Sequence, residues 1–352
     1  MAALGVLLCA ACGGGDPATH VSAETRGGGA EAAAEVWAAP RTLLPFAERR
    51  AFAVPADDGA AALLVLGGSL AAWWAPGPWV AAPTGAEALR LPVPDARFRF
   101  ARPGGFVVLG AAQAASFARA PRAAPERVDL WSAPAQAAAV VEVGGRARLV
   151  AAADGAARAW DVTALDDVRP APAGLALPSG VVALRRAESG AGDDHLITLE
   201  DGLVRVWAAD GDVFRAADAA VVPGAARALR DADFDGDGRD ELVVATAAGL
   251  TVLALEPDGR IRSTHPVPGT LDARAPHVAA AGTPGAPRTL TWTTPTAVRA
   301  VTVGPDLEAR DPRRWLRRSG VASLATGDFD ADGDVDLVFT DPLGVHAVER
   351  LR

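Results

Sequence analysis

Lysine, asparagine and tyrosine do not occur in this 352-residue sequence. All three have AT-rich codons, so their loss marks a GC-rich coding bias and carries no mechanism. Its one chemical consequence is that Asp must stand wherever a relative could use Asn. Cysteine is confined to Cys9 and Cys12, which removes disulfides, thiol nucleophiles and thiolate metal ligands from the rest of the chain. There is no basic excess. The formal net charge is -9, which argues against a nucleic-acid partner, because phosphate binding needs a basic face. The apolar run over residues 4–9 is too short to cross a bilayer. No segment carries a long helical period with caps. There is no G-x-S-x-G elbow, no phosphate loop and no dinucleotide fingerprint. The five histidines (His20, His195, His265, His277 and His346) are scattered without metal-ligand spacing. No catalytic residue is assigned.

What is present is first of all apolar. Half of the residues are hydrophobic, enough to bury a sizeable core. That apolar content is periodic. An apolar strand, a turn and an alternating strand recur over residues 149–153 and 156–160, 196–199 and 203–207, 242–246 and 250–253, 290–294 and 298–301, and 337–340 and 345–348. Their turn positions, Gly155, Gly202, Gly249, Ala297 and Gly344, follow one another by 47, 47, 48 and 47 residues. Weaker copies turn near Gly68 and Gly110. Further strands are expected ahead of the hairpins, over 137–143, 181–184, 225–232 and 321–325.

Seven units of roughly 42–48 residues, each of four short strands, have the size of β-propeller blades. The expected fold is all-β: a seven-bladed propeller of four-stranded blades over residues 40–352. One blade cannot bury both faces, whereas a closed ring buries them all. The chain runs out after the third strand of its last unit. Residues 41–46 are therefore expected to supply the fourth, so that the closing blade is shared between the N- and C-terminal segments.

The acidity is concentrated in two loops. One reads Asp233-Phe234-Asp235-Gly236-Asp237-Gly238-Arg239-Asp240-Glu241, the other Asp328-Phe329-Asp330-Ala331-Asp332-Gly333-Asp334-Val335-Asp336. Carboxylates at positions 1, 3 and 5 converge when such a loop curls, and Gly at position 6 permits the turn. Hard oxygens in this number suit Ca²⁺ rather than Zn²⁺ or Cu²⁺. An EF-hand would need Glu at position 12, where Val244 and Phe339 stand, and would need flanking helices. Here the loops run into strands. The sequence in this way resembles the FG-GAP/VCBS repeat propellers, such as the head of the integrin α-subunit. The resemblance covers the two loops closely and residues 40–352 more loosely. It implies Ca²⁺ ligands at Asp233, Asp235, Asp237, Arg239 (through its carbonyl) and Glu241, and at Asp328, Asp330, Asp332, Asp334 (through its carbonyl) and Asp336. Phe234 and Phe329 are expected to pack beneath the loops. The equivalent stretches 187–194 and 282–287 read as loops that have lost the metal.

Trp160 and Trp207 end strands as in a WD-repeat, but that family's Gly-His dipeptide is missing, and blade packing is the expected role. The same holds for Trp73, Trp74 and Trp79. Ahead of the repeats, Leu8-Cys9-Ala10-Ala11-Cys12 resembles a bacterial lipobox with Cys12 as the lipid acceptor. Cys9 stands where the pattern has Leu, Val or Ile. No basic residue precedes the run, so the true start is expected upstream of Met1. Residues 1–12 are expected to be a leader and 13–39 a flexible tether. The functional expectation is an exported, lipid-anchored, monomeric binding or scaffolding module of the cell envelope. Its partner would be a protein or glycan, with the lipid anchor its only membrane attachment. The alternative is an enzyme using the propeller channel, like quinoprotein dehydrogenases or polysaccharide lyases.

Overall fold

In a computed structural model the described residues are 36–37, 40–45, 50–55, 61–67, 70–74, 88–90, 98–102, 105–109, 113–118, 127–129, 136–153, 156–163, 169–172, 180–189, 192–278, 287–332 and 336–351. Every regular element among them is a β-strand. The strands form four-stranded antiparallel sheets in which each strand pairs with the next in sequence. The clearest is built from Ala226–Ala232, Glu241–Thr246, Gly249–Leu255 and Ile261–Val267. Before it comes Ala183–Ala187, His195–Glu200, Leu203–Asp210 and Val213–Val221. After it comes Arg274–Val278, Arg288–Thr293, Val298–Val303 and Ala309–Leu316. Sheets over 50–90, 98–129 and 137–171 have the same plan.

The hairpins predicted from the 47-residue spacing are those observed, lengthened by one to three residues at some ends and shortened by one at Thr293. Three first strands begin later than predicted, at Ala183, Ala226 and Ser323 instead of 181, 225 and 321. The apolar residues ahead of them belong to the incoming connection, and Val182 there is exposed.

The last sheet departs from sequential pairing. Ser323–Gly327, Asp336–Asp341 and Gly344–Val348 are joined on the outer edge by Arg41–Pro45. Arg41 faces Ala347 and Pro45 faces Gly344 in an antiparallel register. Phe46 lies outside the described residues. The pairing extends into the segment expected to be a tether, because Val36–Trp37 forms a ribbon with Arg350–Leu351.

The reason for this arrangement lies in where the cores sit. Apolar side chains on facing sheets form one core per junction, not one per sheet. Leu196 and Phe214 share a core with Val141 and Val150 of the preceding sheet. Leu229 and Leu242 share one with Ile197 and Val206. Val243 and Val252 share one with Trp292 and Val301. Leu337 and Phe339 share one with Val298 and Trp315. Finally Leu43, Val338, Val345 and Ala347 of the last sheet pack with Leu63 and Val65 of the first.

First strands of neighbouring sheets also lie side by side, and Ser323–Gly327 lies beside Arg50–Pro55. Because strands alternate in direction, the loops between first and second strands share one end of the stack with those between third and fourth. The acidic loops are at that end.

Candidate metal centre

Residues 233–240 connect Ala226–Ala232 to Glu241–Thr246, and 328–335 connect Ser323–Gly327 to Asp336–Asp341. Each loop is pinned from below by its position-2 aromatic. Phe234 is fully buried in the core shared with the following sheet. Phe329 is buried with Leu43, Leu63 and Val338. Burial of a Phe side chain holds the start of each loop by about 1.5–3 kcal/mol.

The position-9 carboxylate adds a second pin: Glu241 Oε2 accepts the Phe234 N–H at 2.8 Å, and Asp336 Oδ2 accepts the Phe329 N–H at 3.1 Å. Both carboxylates are buried. The sharp turn is made at position 4, where Gly236 has φ 80° and Ala331 has φ 63°. At position 6, Gly238 also has φ 82°, as predicted, while residues 333–335 lie outside the described part.

The curled backbone brings positions 1, 3 and 5 together. One carboxylate oxygen from each of Asp233, Asp235 and Asp237 lies within 4.8 Å of the others, and the same holds for Asp328, Asp330 and Asp332. These two are the triads found among the described residues. Backbone N–H groups hold the carboxylates: Gly236 donates to Asp233 Oδ1 at 2.6 Å and Asp237 to Asp235 Oδ1 at 3.1 Å. In the second loop Asp332 donates to Asp328 Oδ1 at 3.0 Å and to Asp330 Oδ1 at 3.2 Å.

Of the predicted ligands, positions 1, 3 and 5 converge in both loops. Glu241 and Asp336 lie beneath the loops, each with one oxygen on a backbone N–H. The Arg239 side chain turns back onto Asp237, and Asp334 is among the undescribed residues.

The electrostatics are those of a crowded anionic site. Burial pushes the Glu241 carboxyl up to about 7; the Phe234 N–H opposes this, and the charges of Asp235, Asp237 and Asp233 add to it. Burial and then the Asp332 charge raise the Asp330 carboxyl. For Asp237 burial acts upward, but the guanidinium and N–H of Arg239 outweigh it and the net shift is downward. A donor set of three convergent carboxylates and a buried fourth that resists ionisation fits a hard divalent cation such as Ca²⁺. Such an ion removes the repulsion, and its all-oxygen shell matches the donors.

Several residues with roles here had no sequence prediction. Asp240 donates its N–H to the Glu188 carbonyl at 3.1 Å, and its carboxylate accepts the Glu188 N–H at 2.8 Å. Asp194 makes the same reciprocal clasp to Glu142 one sheet earlier, beside Asp193, which accepts the Gly144 N–H at 2.6 Å. The acids remaining in the 187–194 stretch therefore tie neighbouring sheets together. Burial, with the Asp231 charge, pushes the Asp240 carboxyl up to about 7. The spacing of Asp194 and Asp240, 46 residues, was the signal available in the sequence. Arg262, from the fourth strand, reaches Asp235 at 3.0 Å.

Comparison with known proteins bears on the frame that carries these loops. No protein-family model matches the chain, and no curated protein matches it. Among solved structures it is similar to BBS1N in complex with ARL6DN, with TM-score 0.63 and 12% identity over 90% of this chain and 97% of that one. It is similar to the Pan2 WD40 domain of Neurospora crassa, with TM-score 0.59 and 13% identity over 85% and 88%. It is also similar to Sqt1 of Saccharomyces cerevisiae, with TM-score 0.57 and 10% identity over 88% and 99%.

The fold is a β-propeller. At these identities the likeness concerns the fold alone. The tryptophans serve packing in this propeller: Trp160 is buried, and Trp207 Nε1 donates to Thr198 Oγ1 at 3.1 Å across its hairpin. Trp73, Trp74 and Trp79 carry no described side chains.

Proposed function

We propose that this chain is a seven-bladed propeller of the FG-GAP/VCBS type that binds or scaffolds a partner at the cell envelope, stabilised by Ca²⁺ in its two acidic loops. The observation that carries this reading is the repetition of one local structure at two places 95 residues apart. In each, positions 1, 3 and 5 converge, an aromatic at position 2 enters a junction core, and the position-9 carboxylate holds that aromatic's N–H. Among the described residues, seven four-stranded sheets, with the last joined by Arg41–Pro45 and packed on the first, support the count of seven blades.

In this reading Ca²⁺ would be held by the two Asp triads together with Glu241 and Asp336, and by the carbonyls of Arg239 and Asp334. The ion supplies charge neutralisation and a tie between first and second strands. The chain supplies the pins described above. Export and anchoring through Cys12 would place the monomeric module on a membrane surface, facing a protein or glycan partner.

Partner binding is known by title for one structural neighbour, BBS1N with ARL6DN, and a protein partner is proposed here by that analogy. The rival reading is an enzyme using polar side chains on the first strands. Three of them hold backbone groups: Arg185 Nε and Arg230 Nη1 both donate to the Leu229 carbonyl, at 3.0 and 2.9 Å. His277 Nε2 accepts the Thr326 N–H at 3.0 Å. Groups spent on capping open strand edges favour the binding reading.

The test is calorimetric titration with CaCl₂ alongside thermal unfolding in Ca²⁺ and in EDTA. Sites binding at roughly 10⁻⁴ to 10⁻³ M would add on the order of 1–2 kcal/mol each at a few millimolar Ca²⁺. Neither heat nor a shift in melting temperature would overturn the calcium reading. For the anchor, Cys12→Ser in a chain with a complete signal should leave the membrane fraction; retention there would overturn lipidation at Cys12.

A further inference from the structure

The innermost strands carry a charge opposite to that of the chain as a whole. First strands of neighbouring sheets lie side by side, which makes them the lining of the propeller's central channel. Among the described residues, the first strands of the four-stranded sheets hold eight arginines against two acids, Glu142 and Asp231. The whole chain has a formal net charge of -9. A low-dielectric channel lined by charge of one sign concentrates ions of the other.

Three successive first strands bring polar side chains together there. Arg185 is the middle residue of Ala183–Ala187, and its Nε donates to the Leu229 carbonyl at 3.0 Å. Leu229 is the middle residue of Ala226–Ala232 in the next sheet, and its carbonyl also accepts Arg230 Nη1 at 2.9 Å. One oxygen thus holds two guanidinium groups side by side. The bond to Leu229 uses one of the five N–H donors of Arg185. Among the described residues no carboxylate forms an ion pair with Arg185, and Asp231 acts on it as a charge at longer range. Burial holds its guanidinium below the usual range, with the Asp231 charge opposing. Arg185 is half-buried, and its two Nη atoms stay open to the channel.

His277, on Arg274–Val278 of the following sheet, adds a neutral donor. Its Nε2 accepts the Thr326 N–H at 3.0 Å, which places the ring proton on Nδ1. Burial and the nearby Arg230 charge keep the ring neutral. The half-buried imidazole therefore offers an Nδ1–H beside a positive charge.

We infer that the channel binds a small oxyanion, a phosphate or a carboxylate, at Arg185, Arg230 and His277. This goes beyond the calcium and anchoring readings and rests on the propeller fold alone. The terminal N–H groups of Arg185 form a fork that matches two oxygens of such a group. His277 Nδ1–H supplies a further hydrogen bond, and Arg230 supplies charge. An anion there offsets the repulsion between the two guanidinium groups that the Leu229 carbonyl holds together. The same three side chains hold backbone groups of the inner strands, so a bound anion also ties neighbouring sheets to one another.

The experiment is isothermal titration of the full chain with sodium phosphate and, separately, with sodium succinate at low ionic strength. Wild type should bind one anion per chain. Arg185→Gln should weaken binding about tenfold or more, and Arg215→Gln, on an exposed outer strand, should leave it unchanged. Arg185→Lys keeps the charge and loses the fork, so it should bind several-fold more weakly than wild type; it carries the test if Arg185→Gln fails to fold in a thermal scan. Histidine-ring NMR spectra, assigned with His277→Gln, should show the His277 Nδ1–H resonance moving as anion is added. Binding of one of the two anions alone supports the inference and names the oxyanion. No heat with either anion, or undiminished binding in the Arg185 variants, would overturn it, and neither result touches the calcium reading.

Discussion

Leu43 provides the sharpest test of how the ring closes. It lies in the strand Arg41–Pro45, about three hundred residues in sequence from the strand it completes, and its side chain is 2% exposed. Its neighbours in the core are Leu63 and Val65 of the first sheet and Phe329, Val338, Val345 and Ala347 of the last. Leu43→Ala removes three carbons, a methine and its two methyls, from that junction and leaves a cavity between two sheets that are each anchored elsewhere. Substitutions of this kind cost about 2–5 kcal/mol, and limited collapse of the site places the expected loss near 3 kcal/mol. For a cooperative unit of roughly 300 residues the unfolding entropy is on the order of 0.6 kcal/mol per kelvin. The melting temperature should therefore fall by about 5 °C. Urea unfolding should show a lower midpoint with an unchanged slope. Deleting residues 1–35 should leave the midpoint in place, whereas deleting residues 1–46 should lower it by at least as much as Leu43→Ala. If Leu43→Ala stays within about 0.5 kcal/mol of wild type, or the two deletions melt together, Arg41–Pro45 does not close the ring.

Other outcomes are expected from single groups. Ala331 holds a left-handed φ of 63° where the other loop has Gly236; Ala331→Gly should stabilise by up to about 1 kcal/mol, the relieved strain exceeding the added unfolded-chain entropy, and a loss measured by urea unfolding would refute this. Gly224→Ala should cost several-fold more than a surface change, since φ is 88° and an added Cβ would lie 2.8 Å from the Ala248 backbone nitrogen; a neutral result by the same assay would refute that approach. Burial, then the Arg230 charge, lowers the His277 imidazole to about 3. Its unfolded value is higher, so its contribution is complete above about pH 6.5 and is lost as pH falls towards 3, at up to about 1.4 kcal/mol per unit. His277→Gln should flatten the stability profile below pH 6.5 relative to wild type, and parallel profiles would count against it. Chelation should lower the melting temperature by a few degrees and Mg²⁺ should restore it poorly, because Mg²⁺ prefers a smaller octahedral shell; full rescue by Mg²⁺ would exclude a calcium-sized site.

Much of this molecule is local and therefore readable along the chain. A β-hairpin is written in consecutive residues, so the spacing of Gly155, Gly202, Gly249, Ala297 and Gly344 located the second and third strands of five sheets. The acidic loops are also local, because alternate carboxylates converge through backbone curvature alone. The pairing of residues 41–45 with the last sheet could be anticipated by counting strands, since a sheet short by one strand needs an edge partner.

Other features arise only when distant segments meet. That Asp194 and Asp240 are clasps between sheets depends on which backbone N–H lies opposite them across a junction. No periodicity encodes that. Arg262 lies far along the chain from Asp235 and meets it only because the fourth strand folds back beside the first loop. Position 4 of each loop demands a left-handed residue, and the Ala at 331 concealed that demand in the sequence. The convergence of Asp233, Asp235 and Asp237, and of Asp328, Asp330 and Asp332, was thus set by local spacing. The charge balance of each site was decided by tertiary approach, because Coulomb interactions follow distance in space rather than separation along the chain.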